Sequence, residues 1–204
     1  MALDIKPTRS ELIKLKKKIK LAKSGYNLLK KKRDGLILDF FEILKKAKTL
    51  RQELTEEYEV ALEKINMARA VEGDIALKSL AMAVSQAPDI QLHTKNIMGV
   101  VVPRIESIGL QKPMTERGYG IYASSSLTDD AASSFERVVE KVILAAEIET
   151  SMKKLLHEIE KTKRRVNALE FAVIPKMESV AGFIRLRLEE MERESIFRLK
   201  RIKA

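Results

Sequence analysis

The side chains best able to do chemistry in this chain are its lysines. Lys14, Lys16, Lys17, Lys18, Lys20 and Lys23 follow closely on one another, and residues 5–33 hold twelve basic side chains against one acid, Glu11. Such an excess can recognise a polyanion: nucleic acid, an anionic membrane surface or an acidic protein surface. Other chemistry is thin. The only histidines are His93 and His157, and neither has a partner at metal-ligand spacing. There is no cysteine, which excludes disulfides, thiolate metal sites and a cysteine nucleophile. No G-x-x-x-x-G-K-[ST] run and no glycine-rich loop after a strand offers a phosphate cradle. Ser124-Ser125-Ser126 reads as a loop ahead of a helix start at Asp129-Asp130, not as a nucleophile. Glu189-Glu190 reads as a solvated helix face, and Met152, Met177 and Met191 as packing at helical spacing. The expectation is a protein that is not itself an enzyme and holds no cofactor and no metal.

The composition says which elements must carry those lysines. Of 204 residues 33% are charged and 5% aromatic, with 8 Gly, 5 Pro and no Trp. Few turn formers and many Ala, Glu, Lys, Leu and Arg are the mark of long helices or coiled coil. The net charge of +10 is unevenly spread. Residues 51–150 hold ten bases and sixteen acids, and residues 151–204 fourteen bases and eight acids. Both ends are therefore positive and the middle negative. No stretch approaches the roughly 20 apolar residues of a membrane span, and the N-terminus lacks the order of a signal peptide. A cytoplasmic protein is expected.

From Leu12 onward a seven-residue repeat appears. One seam position holds Leu12, Ile19, Tyr26, Arg33, Phe40, Ala47, Leu54, Ala61 and Ala68; the other holds Leu15, Ala22, Leu29, Leu36, Ile43 and Leu50. Alternating three-four spacing of this kind is the pattern of a left-handed coiled coil. After Leu54 the second position falls on Glu57 and Lys64, while Tyr58, Leu62 and Ile65 offer another apolar track, which reads as a stutter. Thr8 is the expected N-cap, with Glu11 completing a capping box, and Gly73 the expected stop. A helix of about 60 residues would run about 90 Å. The last third repeats the design: Ala145, Met152, Ile159, Val166, Val173 and Val180 recur every seven residues, with Ile148, Leu155, Leu169, Met177, Ile184 and Met191 near the second position. Pro175 falls inside this pattern and should bend the helix.

Between the helices the chain changes character, with Pro88, Pro103, Pro113, Gly99, Gly109, Gly118 and Gly120. Ala76–Ser85 still looks helical; Ile90–Val102 reads as a strand, and Gly118–Ala123 as its partner. The fold class that results is mainly all-α: a long antiparallel two-helix left-handed coiled coil with a small β-hairpin insert. Its segments are 8–72, the first long helix; 73–128, the insert; and 129–203, the second long helix, in one elongated unit. If both ends meet at one pole, facing residue numbers sum to about 204, the chain length. That places Arg33 near Glu170 as a buried polar pair that would fix register.

On the heptad frame the lysines of residues 14–23 fall around the whole helix circumference. A helix that reads DNA concentrates its cations on one face, and stacking aromatics are absent apart from Tyr26, which the seam claims. Cations on every side fit best a rod enclosed by its partner. A basic coiled coil that binds nucleic acid or an anionic membrane through residues 5–33 is the alternative.

Longer blocks carry a resemblance over essentially the whole chain: Pro7-Thr8-Arg9; Leu21 to Gly25; Leu28 to Asp34; Asn96 to Val100 with Val102-Pro103; Lys161 to Glu170; Ile174-Pro175; and Glu192 to Glu194 before Phe197 to Lys203. These blocks resemble the D-subunit family of the rotary V-type and archaeal A-type ATPases. The resemblance implies a non-catalytic central-stalk rotor whose helices enter a hexamer of catalytic A and non-catalytic B subunits. The F subunit would bind lower down, and a funnel-shaped subunit would join the base to the membrane rotor ring. It implies no direct nucleotide site, no nucleic acid, and a cytoplasmic position peripheral to the membrane. The family has a proline at the place of Pro175, and many members carry a tail beyond the point where this chain ends, at Ala204. Lys16, Lys17, Lys20, Lys31, Arg164 and Arg165 are the expected contacts to the hexamer.

Overall fold

A computed structural model describes residues 7–84, 89–110, 113, 117–120 and 124–203. Helix α1 spans Arg9–Glu72, α2 Asp74–Ala83, strand β1 Asp89–Ile97, β2 Val100–Ile108 and α3 Ser126–Ala168; a π-helical turn, Leu169–Val173, leads into α4, Ile174–Lys203. The fold is mainly α with a small antiparallel hairpin. Two compact units result: Met1–Leu36 with Glu158–Ala204, called here the terminal unit, and Ile37–His157, the central unit.

Helix α1 starts as its sequence dictates. The Glu11 backbone N–H donates to Thr8 Oγ1 at 3.3 Å, which satisfies one orphan donor of the first turn. The Glu11 carboxylate accepts from Lys14 Nζ at 2.9 Å instead of reaching back to Thr8. That pairing holds the Glu11 carboxyl below the usual carboxylate range. At the other end Gly73 has φ 85 and donates its N–H to Arg69 O at 3.0 Å. A side chain is strained there, so the helix stops at the glycine.

In the terminal unit, Leu12, Leu15, Ile19, Tyr26 and Leu29 are half-buried and Leu36 fully buried on α1. Ile159, Leu169, Val173 and Val180 are half-buried opposite, and Thr162, Val166 and Ile184 are buried. Antiparallel pairing is fixed by Arg9 with Glu192, Lys23 with Glu178 at 2.7 Å and Lys32 with Glu158 at 3.8 Å. Arg9 and Lys23 lie about one helical turn earlier on α1 than end-to-end pairing supposes, and Lys32 lies about four turns earlier. Arg33 and Glu170 consequently do not meet. Arg33 pairs with its neighbour Asp34 at 2.8 Å, and Glu170 is exposed. Met191, at 39% exposure, also lies outside the packed seam.

Pro175 sits just inside α4. It has no N–H to give, and its ring crowds the carbonyl four residues back. The chain answers with the wider turn at Leu169–Val173, where the Ile174 N–H reaches Leu169 O, five residues back.

In the central unit the heptad seam continues through Phe40, Ile43, Ala47, Leu50 and Leu54 without the expected stutter. Of the other track Tyr58 and Leu62 are exposed and Ile65 is half-buried, whereas Glu57 and Lys64 are half-buried and Ala61 and Ala68 fully buried. The apolar track misleads because the seam partners on α3 are polar here. Lys141 takes Glu57 at 2.9 Å, and Lys64 Nζ lies 2.7 Å from Ser134 Oγ. Ala131, Val138, Ile143 and Leu155 complete the core on α3.

The expected strand from Ile90 to Val102 is two strands. β1 and β2 pair with Asp89 opposite Ile108 and Ile97 opposite Val100. Met98 (φ 48) and Gly99 (φ 86) form the two-residue turn, closed by the Gly99 N–H on Asn96 Oδ1 at 2.8 Å. The partner is therefore Val100–Ile108 and not the segment from Gly118; residues 121–123 lie outside the described residues, as does Ser85. Val100 and Val102 are buried, and every β1 residue but Ile97 is exposed. Pro103 faces Thr94, a position whose N–H points away from β1, so the ladder loses nothing.

Candidate partner-binding surface

The cations of the terminal unit define its chemistry. α1 stays helical through the lysine run because lysine is a good helix former and its long stem leaves the charge in water. Lys16, Lys17, Lys20 and Lys31 on α1 and Arg164 and Arg165 on α3 are all exposed. Arg164 has one weak partner, Glu160 at 3.8 Å and one turn away. The other five make no ion pair among the described residues, nor do Lys18 and Lys163. Exposed leucines interrupt the cations: Leu21 at 74% and Leu28 at 69%. Lys30 Nζ lies 5.9 Å from the Tyr26 ring centroid, which engages that cation within the chain itself. Uncompensated cations beside exposed leucines can recognise an acidic surface that also offers apolar contact.

The central unit holds its charges differently. Arg117 is 8% exposed and donates to Glu136 through Nε (3.0 Å) and Nη2 (3.2 Å) and to the Asp129 carbonyl through Nη1 (3.2 Å). Tyr119 donates its hydroxyl to Asp129 Oδ1 at 2.7 Å; burial and that bond push the phenol above its ordinary value. At the start of α3, Glu72 Oε1 accepts the Ser125 N–H at 2.9 Å and the Thr128 hydroxyl at 2.7 Å. Bonds from Ser125 and Thr128 hold that carboxyl below the usual carboxylate range, and its charge suits a helix N-terminus. Glu147 Oε2 accepts the Ile105 N–H at 2.9 Å and ties the hairpin to α3. Glu57 and Glu53 raise Lys141 above the ordinary lysine value. None of these partners is near in sequence. Only the acids at 129 and 130 carried a local signal, that of a helix start.

No acid–base pair or nucleophile is set up for catalysis among the described residues. The Ser125 N–H is held by Glu72, and no base lies on its hydroxyl among the described residues, while Glu189 and Glu190 pair with Arg185 and Arg187. His157 is exposed, His93 lies 3.8 Å from Glu106 across the hairpin, and among the described residues no group of three or more His, Asp and Glu is placed to hold a metal. No described helix is long and apolar enough to cross a membrane.

The profile of the family described as the ATP synthase D subunit matches residues 11–204. The chain is 64% identical over 202 residues to the A-type ATP synthase D subunit of Methanococcoides burtonii, covering 99% of this chain and 98% of that protein. It is 61% identical to that of Methanosarcina acetivorans (98% and 96% covered) and 53% identical to that of Halorubrum lacusprofundi (100% and 90%). With likeness of this degree over its full length, the chain belongs to the D-subunit family of ATP synthases.

Proposed function

We propose that the chain is the central rotor shaft of its ATP synthase, non-catalytic in itself. It couples ATP synthesis or hydrolysis in a hexamer of catalytic A and non-catalytic B subunits to ion flow through a membrane rotor ring. The hexamer encloses the terminal unit; the F subunit and a funnel-shaped subunit hold the chain elsewhere, peripheral to the membrane. The observation that carries this reading is the set of exposed, unpaired cations around the terminal unit, in a chain of this family. Charge acting across water holds a turning part less tightly than apolar packing would, and orients it all the same. A bend at Pro175 would supply the asymmetry by which three catalytic sites meet different faces. Two paired helices also resist twisting better than one.

Affinity purification of the tagged chain from its own cells tests the reading. The expected result is recovery of the A, B and F subunits together. Recovery of nucleic acid or lipid alone, released by moderate salt, overturns it. In the assembled complex, neutralising Lys16, Lys17, Lys20, Lys31, Arg164 and Arg165 should lower torque per ATP and leave helical content unchanged. Unchanged torque removes the role given to those six.

A further inference from the structure

Heptad seams are prone to sliding, because a shift by seven residues restores the same apolar track. Where α1 runs from Ala61 to Ala68 the apolar layers do little to prevent it. By the register of the Lys64–Ser134 and Lys141–Glu57 pairs, buried Ala61 and Ala68 on α1 fall opposite Val138 and Ala131 on α3, and such small residues accept one another in any register. The discriminating contacts are polar. Lys141, 23% exposed, lies 3.0 Å from Glu53 and 2.9 Å from Glu57, and Lys64 is bound to Ser134.

We propose that Lys141, gripped by Glu53 and Glu57, sets the register of α1 against α3 and blocks their sliding by a heptad. Heptad arithmetic on the sequence supports this. Slide α3 one heptad toward the end of α1, and Lys141 leaves Glu53 and Glu57 for Val60 and Lys64. Slide it the other way, and Lys141 meets Lys46 and Leu50. Either slip exchanges two carboxylates for a lysine and an apolar side chain. A half-buried ammonium loses its partners and gains a like charge. Lys64 adds to the lock, since its Ser134 contact is lost in both slips. In the terminal unit the Lys23–Glu178 pair is no such key. Lys16, Lys23 and Lys30 stand seven apart, so Glu178, now on Lys23, finds a lysine after a slip in either direction.

The absence of native cysteine makes a clean test available. Three cysteine pairs in the full-length chain report register by disulfide formation: Ala61→Cys with Val138→Cys for the native one, and Ala68→Cys or Leu54→Cys with Val138→Cys for the two slips. In the native background only the first pair should cross-link. Lys141→Glu repels Glu53 and Glu57 and attracts Lys64 or Lys46. It should raise cross-linking of a slipped pair at least about tenfold, a ratio that two reversed charge contacts readily supply. Lys141→Met removes attraction and repulsion alike. It should give a smaller rise while keeping helical content, so the test survives if the glutamate variant unfolds. Cross-linking confined to the native pair in Lys141→Met, and in Lys141→Glu if that variant folds, overturns the proposal.

Discussion

The terminal unit carries twenty-four basic side chains against eleven acids, the central unit fifteen against eighteen. Both are built on the same heptad seam, with one fully buried leucine each among the described residues, Leu36 and Leu155. They differ in where the charge goes. In the central unit charges turn inward: Arg117 on Glu136 and Asp129, Glu72 on the start of α3, Lys141 on two carboxylates. In the terminal unit most cations face solvent, and the pairs across its seam are half-exposed or weak, such as Lys23 with Glu178 and Lys32 with Glu158. One unit commits its charge to its own architecture, and the other keeps it for a partner.

Four measurements can break or sharpen that contrast. The largest effect is expected at Arg117. Arg117→Ala leaves Glu136 and Asp129 without their cation and should cost about 3–5 kcal/mol, by urea titration of the full chain. A loss below that of an exposed pair would show the cluster to be ornamental. Leu36→Ala and Leu155→Ala should each cost about 2–5 kcal/mol, and by similar amounts if the seam serves both units alike.

Glu72→Ala comes next. It strands the Ser125 N–H and the Thr128 hydroxyl and should cost about 1–3 kcal/mol. The pH dependence has a definite sign. The folded Glu72 carboxyl titrates below its unfolded value, so its contribution stands in full above the carboxylate range and is lost as pH falls through the folded value. The gap between wild type and Glu72→Gln should be flat above about pH 6 and close below about pH 4. A gap that widened on acidification would contradict the bonding seen. The smallest effect belongs to the terminal unit. Lys23→Ala should change stability by less than about 1 kcal/mol, and molar salt should erase most of the difference.

The helices and their seams were legible because heptad spacing is written locally, residue by residue. Thr8 and Gly73 were legible for the same reason. What depends on a partner far along the chain was not. Glu57 and Lys64 looked like breaks in an apolar pattern, since nothing nearby announces Lys141 and Ser134. Arg33 looked like the buried partner of Glu170, yet it pairs with Asp34 beside it. The hairpin was divided wrongly because Val100-Val101-Val102 continues the strand-like run of residues 90–97 across a turn. The signal was there in Asn96 and Gly99, a side-chain acceptor and a residue free to take positive φ. For Glu72 and Arg117 no comparable signal exists, and their roles required the fold.

The wide turn before Pro175 also acts as a phase shifter. A heptad read forward from Val166, Leu169 and Val173 calls next for residue 176, a lysine. Lys176 is exposed, and Met177 takes the half-buried place, followed by Ala181, Ile184 and Leu188, each one residue later than the α3 heptads call for. One extra residue in the turn has turned all of α4 by about 100° on its own axis relative to the α3 frame. The faces that α4 offers outward, with Phe183 and Leu186 among them, are therefore not those that the α3 heptads would project. Winding Leu169–Val173 as regular α-helix with no residue lost would return Lys176 to the seam and rotate those two side chains toward a different neighbour, whereas deleting one residue there would leave Met177 in place.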